Sequence, residues 1–383
     1  MIYLDNAATT FPKPACVRNA MAQCMNCYAA NPGRGAHPLS MRASEALFDA
    51  RNTLAGFFGA DPVRTIFTAN CTHAINYALK GVLQKGDHVI ISSLEHNAVF
   101  RPLYQMKTNG TITFDVAKVV PNDDEQTLQN FAACMNDRTR LIFCTHVSNI
   151  FGTELPIRKL AALAHKNGLL FGLDAAQSAG VFPLQMGTDG IDLLCVPGHK
   201  GLFGPMGTGA LLFGENIAPV SIMEGGTGSL SMQAEQPNEY PDRLESGTVN
   251  LPGIVGLAAG IHFLNRAGGC AAVHEWEAFL TNTLKEDLSV IRGVRQFDLV
   301  QNKDASLLSF VIDGVSVEET AELLGTCGFA VRAGFHCAAL AHTSMGTAET
   351  GTVRVSPGFF NTKKQIKNFS FSVNQIAMEK KVC

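Results

Sequence analysis

At 383 residues with 46% hydrophobic side chains, the chain is long enough for one large domain with a full core and a smaller one beside it. A formal charge of −3 argues against nucleic acid or an anionic membrane as the main partner, and no apolar run approaches the length of a membrane span. The first residues, MIYLDNAATTFPKP, lack the basic-then-apolar order of a secretion signal, and eleven cysteines without framework spacing point to a reducing cytoplasm.

In chain order, IYLDNAATT reads as a short strand and a turn. The stretch 31–40, NPGRGAHPLS, is a Gly- and Pro-rich loop carrying Arg34 and His37. Behind it Leu39, Ala43, Ala46, Leu47, Ala50, Leu54 and Phe57 repeat at helical spacing. Strands and helices then alternate. A strand at Thr65–Thr68 leads through Asn70-Cys71-Thr72 to a helix over 74–83, and a strand at His88–Ser92 leads to the loop Glu95-His96-Asn97. A strand over 141–147 ends at Ser148-Asn149, and a helix over 156–166 stops at Gly168. The run 169–173 enters Asp174, the run 191–196 passes through Pro197-Gly198-His199 into Lys200, and Gly209–Phe213 follows. Continuous apolar runs with helical connections predict an α/β protein with a mostly parallel central sheet covered on both faces.

The segment SGTVN at 246–250 precedes an apolar helix over 254–264, after which the composition changes. An amphipathic helix over 275–288 and a strand over 307–312 are followed by a capping box, Ser316-Val317-Glu318-Glu319. Strands around 330–332 and Thr352–Val355 flank a loop. A second capping box at 362–365 opens a last helix with Ile366, Phe369, Val373 and Ile376 on one face. This half reads as a small α+β domain.

His96, Asn149, Asp174 and Lys200 each fall just past the C-terminal end of a predicted strand, the edge where open α/β sheets bind ligands. A lone carboxylate and a lone lysine at the ends of two successive buried strands suit pyridoxal 5′-phosphate (PLP). The amine holds the cofactor as a Schiff base, and the carboxylate keeps the pyridine nitrogen protonated so that the ring accepts electrons. Taken alone, the pair serves equally well as a turn cap and a surface cation. Thr72 adds a hydroxyl to a helix start, which is either a phosphate cup or an ordinary cap. His96 is placed to stack on the ring and move protons.

Cys337, in VRAGFHCAAL, alone among the cysteines combines basic neighbours, Arg332 and His336, with a loop glycine, Gly334. Nearby positive charge favours the reactive thiolate. Arg332 and Arg354 lie in or beside apolar strands and call for an anion, either a substrate carboxylate or a buried ion-pair partner. The glycine run 201–214 enters a strand rather than a helix, so it is no nucleotide loop. Cys24-x-x-Cys27 has no second pair, so no metal site is predicted.

Together these motifs resemble the PLP-dependent cysteine desulfurases of the class V aminotransferase group, in the SufS-like branch also called selenocysteine lyase. The likeness runs from LDNAATT to the last arginine and is carried by EHNA, HVSNIFGT, LDAAQSAG, GHKGLFGPMGTGAL, SGTVN and VRAGFHCA. It implies a fold-type I transferase with a large domain over 15–255 and a small domain from 1–14 and 256–383. It implies that Lys200 carries the Schiff base, Asp174 meets the pyridine nitrogen, Gln177 the 3′ oxygen, and His96 the ring face. Thr72, Cys71 and His199 would form the phosphate side, with Thr248 reaching it from the neighbouring subunit of a homodimer. Asn149, Arg332 and Arg354 would hold the substrate carboxylate, with His37 a further candidate.

Cys337 would take the sulfur of L-cysteine as a persulfide, release alanine, and pass the sulfur to an acceptor protein or small thiol. L-selenocysteine is a second candidate substrate. Three positions depart from the family pattern: Pro197 where a phosphate-binding serine is usual, His73 where glutamate is common, and Phe335 where a second histidine is common. The alternatives are another class V aminotransferase or amino-acid lyase that does not use Cys337, and a cofactor-free scaffold.

Overall fold

The sequence's unbroken aliphatic runs form the interior of a seven-stranded sheet in the computed structural model, which describes residues 1–33, 35–297 and 306–379. Arg34 lies outside the described residues. After a two-residue strand β1 (Ile2–Tyr3), the sheet is built from β2 (Thr65–Thr68), β3 (His88–Ser92), β4 (Thr113–Ala117), β5 (Thr139–Thr145), β6 (Leu170–Asp174), β7 (Leu193–Pro197) and β8 (Gly209–Phe213). Their order is β2-β8-β7-β6-β5-β3-β4. The pairs from β7 through β4 are parallel, and β8 runs antiparallel to both neighbours. The turn from β7 to β8 contains no helix, and without a crossover helix the returning strand can only reverse.

Alternation through the sheet divides the core in two. Ile90, Ile142, Leu173, Leu194 and Leu212 face one layer, and Val89, Leu141, Phe143, Leu193 and Leu211 face the other. The first layer is completed by Leu160 and Ala164 of the helix Ile157–Lys166 and by Ile254, Leu257 and Ile261 of the helix Leu251–Arg266. The second is completed by the helices Cys71–Val82 and Asn97–Thr108, through Ala74, Ala78, Val99 and Leu103. The helix Asn97–Thr108 and strand β4 were not assigned from the sequence, because the exposed β4 positions interrupt its apolar pattern.

The helix expected over 74–83 begins three residues earlier, at Cys71. Asn70 is extended and its Oδ1 accepts the His73 N–H at 2.9 Å, so Cys71 and Thr72 belong to the first turn.

The C-terminal part carries β9 (Val294–Gln296), β10 (Leu308–Ile312), β11 (Phe329–Ala330), β12 (Arg332–Gly334) and β13 (Thr352–Val355). Four of these make an antiparallel sheet in the order β12-β13-β10-β9, while β11 pairs in parallel with β1. The single strand expected around 330–332 is therefore two, because the chain changes hydrogen-bond partners at Val331. Thr362 and Gln365 form the full capping box, each capping the other, and Ser316 Oγ accepts from Glu319 N–H. Ile366, Phe369, Val373 and Ile376 are buried with Leu4 of the N-terminal segment in one core. The helix Leu251–Arg266 runs through the expected division at 255/256, with its apolar face in the core of the large sheet. Among the described residues, no helix is long and apolar enough to cross a membrane.

Candidate active site

A cavity of about 240 Å³ opens beyond the C-terminal ends of β5, β6 and β7, and His96, Asn149, Asp174 and Lys200 all line it. Asp174 is the last residue of β6 and is buried. Its Oδ1 accepts the Ala176 N–H at 2.9 Å and lies 3.5 Å from the Cys71 thiol, which donates to it. Burial raises its pKa, while the Ala176 N–H, the Lys200 charge and the Cys71 hydrogen bond oppose the rise.

Lys200 follows β7 by a turn that needs glycine, since a Cβ on Gly198 would collide with Thr208 Oγ1. The turn is fixed by Gly198 N–H to Thr208 O (2.9 Å) and by Lys13 Nζ to His199 O (2.7 Å). Burial, and then the Arg354 charge, pull the Lys200 pKa down to about 8, with Asp174 acting against them. A fraction of the amine is thus neutral and nucleophilic near neutral pH.

His96 is an N-cap as well as a wall of the cavity: its Nδ1 accepts the Ala98 N–H at 3.0 Å. That bond assigns the proton to Nε2. Burial, followed by the Lys200 charge, lowers its pKa to about 4, so the ring is neutral at neutral pH and donates rather than accepts through Nε2. Gln177 lines the cavity and gives its amide N–H to Ala7 O at 3.1 Å.

Arg354, also lining the cavity, sits in β13, register-paired with Arg332 of β12. Its guanidinium donates to Asn149 O (2.9 Å) and Asp5 Oδ1 (2.7 Å), while its buried Nε has no partner. The buried ion pair foreseen as one reading of these arginines is thus present at Arg354, and Arg332 is exposed to the cavity.

Cys337 reaches the mouth of the same cavity on a tightly held loop. Asn149 Nδ2 donates to His336 O (2.8 Å), His336 Nε2 to Thr352 O (3.0 Å), and Asn97 N–H to Cys337 O (2.7 Å). These bonds hold His336 and Cys337 in consecutive left-handed conformations, φ 48° and 57°, a backbone costing about 1 kcal/mol or more per non-glycine residue. Burial, with the Arg354 charge, holds the His336 pKa down at about 3, so its ring is neutral.

The class V aminotransferase family model matches residues 2–369. The chain belongs to that family. It is similar to a probable cysteine desulfurase of Methanothermobacter thermautotrophicus, at 34% identity over 385 residues, covering 98% of this chain and 94% of that one. A probable cysteine desulfurase of Mycolicibacterium paratuberculosis is 35% identical over 98% of this chain, which spans 55% of that protein's length. Among solved structures, the apo cysteine desulfurase of Thermococcus onnurineus has a TM-score of 0.90 at 29% identity, covering 99% of this chain and 95% of that one. The cysteine desulfurase CsdA of Escherichia coli has a TM-score of 0.86 at 28% identity, covering 98% and 94%.

Class V aminotransferases are PLP-dependent, and the residues of this member fit the group. The cavity holds a lysine amine and a buried carboxylate. The start of the helix Cys71–Val82 and His199, whose buried Nδ1 has no partner, line the same cavity and would suit the phosphate. Burial, then Lys200 and Lys13, lowers the His199 pKa to about 4. Pro197 is buried in β7 and supplies neither hydroxyl nor N–H.

Two of the expected residues do not line this chain's own cavity, and Thr248 was expected only from a second copy. His37 is exposed and caps the helix Pro38–Phe58, its Nδ1 accepting from Ser40 N–H at 3.2 Å. Thr248 is exposed outside the cavity, between Gly247 and Val249, which border a second cavity of about 420 Å³. Conversely, sequence reasoning passed over Glu95, Asp5 and the Ala7-Ala8 wall. Glu95 is fully buried beneath His96, with Oε1 accepting from Thr145 N–H (2.9 Å) and from Ser92 N–H and Oγ. Burial pushes its pKa up to about 8. A carboxylate just past the apolar strand run, in ISSLEHNA, was the available signal.

Proposed function

We propose that this class V chain is a cysteine desulfurase: it takes sulfur from L-cysteine, releases L-alanine and carries the sulfur as a persulfide on Cys337. The observation that carries this is the Cys337 loop, pinned in a left-handed conformation at the mouth of the cavity that contains Lys200 and Asp174.

When bound, PLP supplies a conjugated ring that accepts electrons from the substrate's α-carbon. Lys200 Nζ holds the group and, once displaced, takes the proton from the α-carbon, which its lowered pKa permits. Asp174 would meet the ring nitrogen and favour its protonated form, and His96, a neutral imidazole, would pack against the ring. Arg332 and the free Nε of Arg354 draw in the substrate carboxylate. Cys337 Sγ, as thiolate, attacks the substrate sulfur: the S–S bond forms as the Cβ–S bond breaks, the electron pair left on Cβ takes up a proton to give alanine's methyl group, and Lys200 returns a proton to the α-carbon. L-selenocysteine, with the same skeleton, is the second substrate.

Thr248 serves the cavity of a second copy in a homodimer. Support comes from the exposed apolar side chains Phe48 and Val63, which border the second cavity beside it. The ten cysteines among the described residues are all unpaired, which supports a cytoplasmic setting.

Exposure to L-cysteine followed by peptide mass spectrometry tests the reading. An added sulfur on the Cys337 peptide is expected, with alanine release abolished in Cys337→Ala and the visible cofactor band lost in Lys200→Ala. Undiminished alanine and sulfide from Cys337→Ala would remove the persulfide route.

A further inference from the structure

The active-site cavity continues past the Cys337 thiol as a shallow groove of about 380 Å³ between the helices Cys71–Val82 and Asn97–Thr108. Its two walls are polar stripes at a spacing of four residues, Thr72, Asn76 and Lys80 on one helix and Asn97, Arg101 and Gln105 on the other. That spacing lays each trio along one helix face, reaching about 12 Å outward at 1.5 Å per residue. His96 and Cys337 belong to the groove and to the active-site cavity alike, so the groove begins at the sulfur.

The charge of this groove has one sign. Lys80 and Arg101 are both exposed, and none of the ten residues lining it is Asp or Glu. Both helices start at the inner end, so their dipoles add positive potential beside Cys337. The chemistry proposed for L-cysteine uses neither cation: the substrate carboxylate has Arg332 and Arg354 inside the cavity. A cationic channel leading outward from the persulfide therefore suits the molecule that collects the sulfur.

Resting on the desulfurase reading, we propose that this groove docks the sulfur acceptor, and that the acceptor it selects is a small thiol carrying carboxylates. Its volume lies in the range of small-molecule pockets. The acceptor thiol gives up its proton and attacks the outer sulfur of the Cys337 persulfide as thiolate. A new S–S bond forms on the acceptor, the old one breaks, and Cys337 leaves as thiolate and is reprotonated, with no net oxidation or reduction.

The test uses the holoenzyme loaded with one equivalent of L-cysteine, with alanine and the Cys337 persulfide measured first. The persulfide is then discharged by mercaptosuccinate, 2-mercaptoethanol or cysteamine, compared at equal thiolate concentration and low salt. Mercaptosuccinate is expected to discharge it on the order of tenfold faster than 2-mercaptoethanol, and cysteamine slowest, the gaps closing in roughly 0.5 M salt. The double variant Lys80→Glu/Arg101→Glu should reverse the order, and Lys80→Gln/Arg101→Gln should flatten it.

Rates that ignore acceptor charge, or an order that survives both double variants, overturn the groove assignment while alanine formation leaves the desulfurase reading standing. A glutamate-rich cysteine peptide that outpaces mercaptosuccinate overturns the small-thiol assignment in favour of a polypeptide acceptor. Absence of both alanine and persulfide at the first step overturns the desulfurase reading itself, and this inference with it.

Discussion

Arg354 Nη2 donates to Asp5 Oδ1 across 2.7 Å, so a cation in the wall of the active-site cavity takes its counter-charge from the fifth residue of the chain. The Arg354 side chain is 3% exposed and that of Asp5 18%. Removing one partner of such a pair leaves an uncompensated buried charge. Asp5→Ala should therefore lose about 3 kcal/mol of stability in urea unfolding. A loss below about 0.5 kcal/mol would show that the pair behaves as an exposed one.

Lys200 gives a pH prediction for cofactor capture. With its pKa lowered to about 8, the amine is the reactive free base above that pH and the inert ammonium below it. Incorporation of PLP into the apo protein, followed by its visible absorption, should accelerate about tenfold per pH unit up to pH 8 and then level off. A rise continuing toward pH 10 would mean that burial does not perturb the amine.

Glu95 gives a stability prediction with the opposite course. Burial pushes its pKa from 4.5 up to about 8, so the folded protein retains a proton that the unfolded chain has released. The contribution is fully present below the unfolded value and is lost as pH rises through the folded one. Between about pH 5 and pH 8 the wild type should lose on the order of 3 kcal/mol relative to Glu95→Gln, whose amide does not titrate. Parallel stability curves for the two proteins would refute the raised pKa.

Gly209 packs against the residue that caps the helix Cys71–Val82. A Cβ there would stand 2.7 Å from the backbone carbon of Asn70 and 2.9 Å from Val196 O, neither of which can rotate away. Gly209→Ala should push back the start of the helix Cys71–Val82 and weaken PLP binding on the order of tenfold by equilibrium dialysis, a shift of about 1.4 kcal/mol. Unchanged affinity would exclude that helix start from the phosphate site.

The parts of the site that sequence disclosed are those where local pattern and chemistry coincide. Asp174 and Lys200 stood out because each ends an apolar run, and the caps at Ser316 and Thr362 were readable because capping is local. The mostly parallel character of the sheet followed from the same runs and their helical connections. What stayed hidden depends on residues far apart in the chain: the Asp5–Arg354 pair spans 349 positions, and the Ala7–Gln177 contact 170. The split between β11 and β12 was invisible for the same reason, since only the partners β1 and β13 distinguish the halves. His37 and Thr248 carried no local signal beyond family likeness, and neither lines the active-site cavity.

The pairing of β1 with β11 has a consequence for how the molecule comes into being. Ala7 and Ala8 wall the active-site cavity, yet the segment bearing them is fastened by Ser356 and Asn361: Ala7 N–H donates to Ser356 Oγ, and Asn361 Nδ2 to Tyr3 O. During synthesis, a ribosome that has released the whole seven-stranded sheet has still not produced the anchors for its earliest residues. The binding pocket closes only after Ser356 and Asn361 have emerged, so a product truncated before them would keep most of a scaffold but never a finished catalytic chamber.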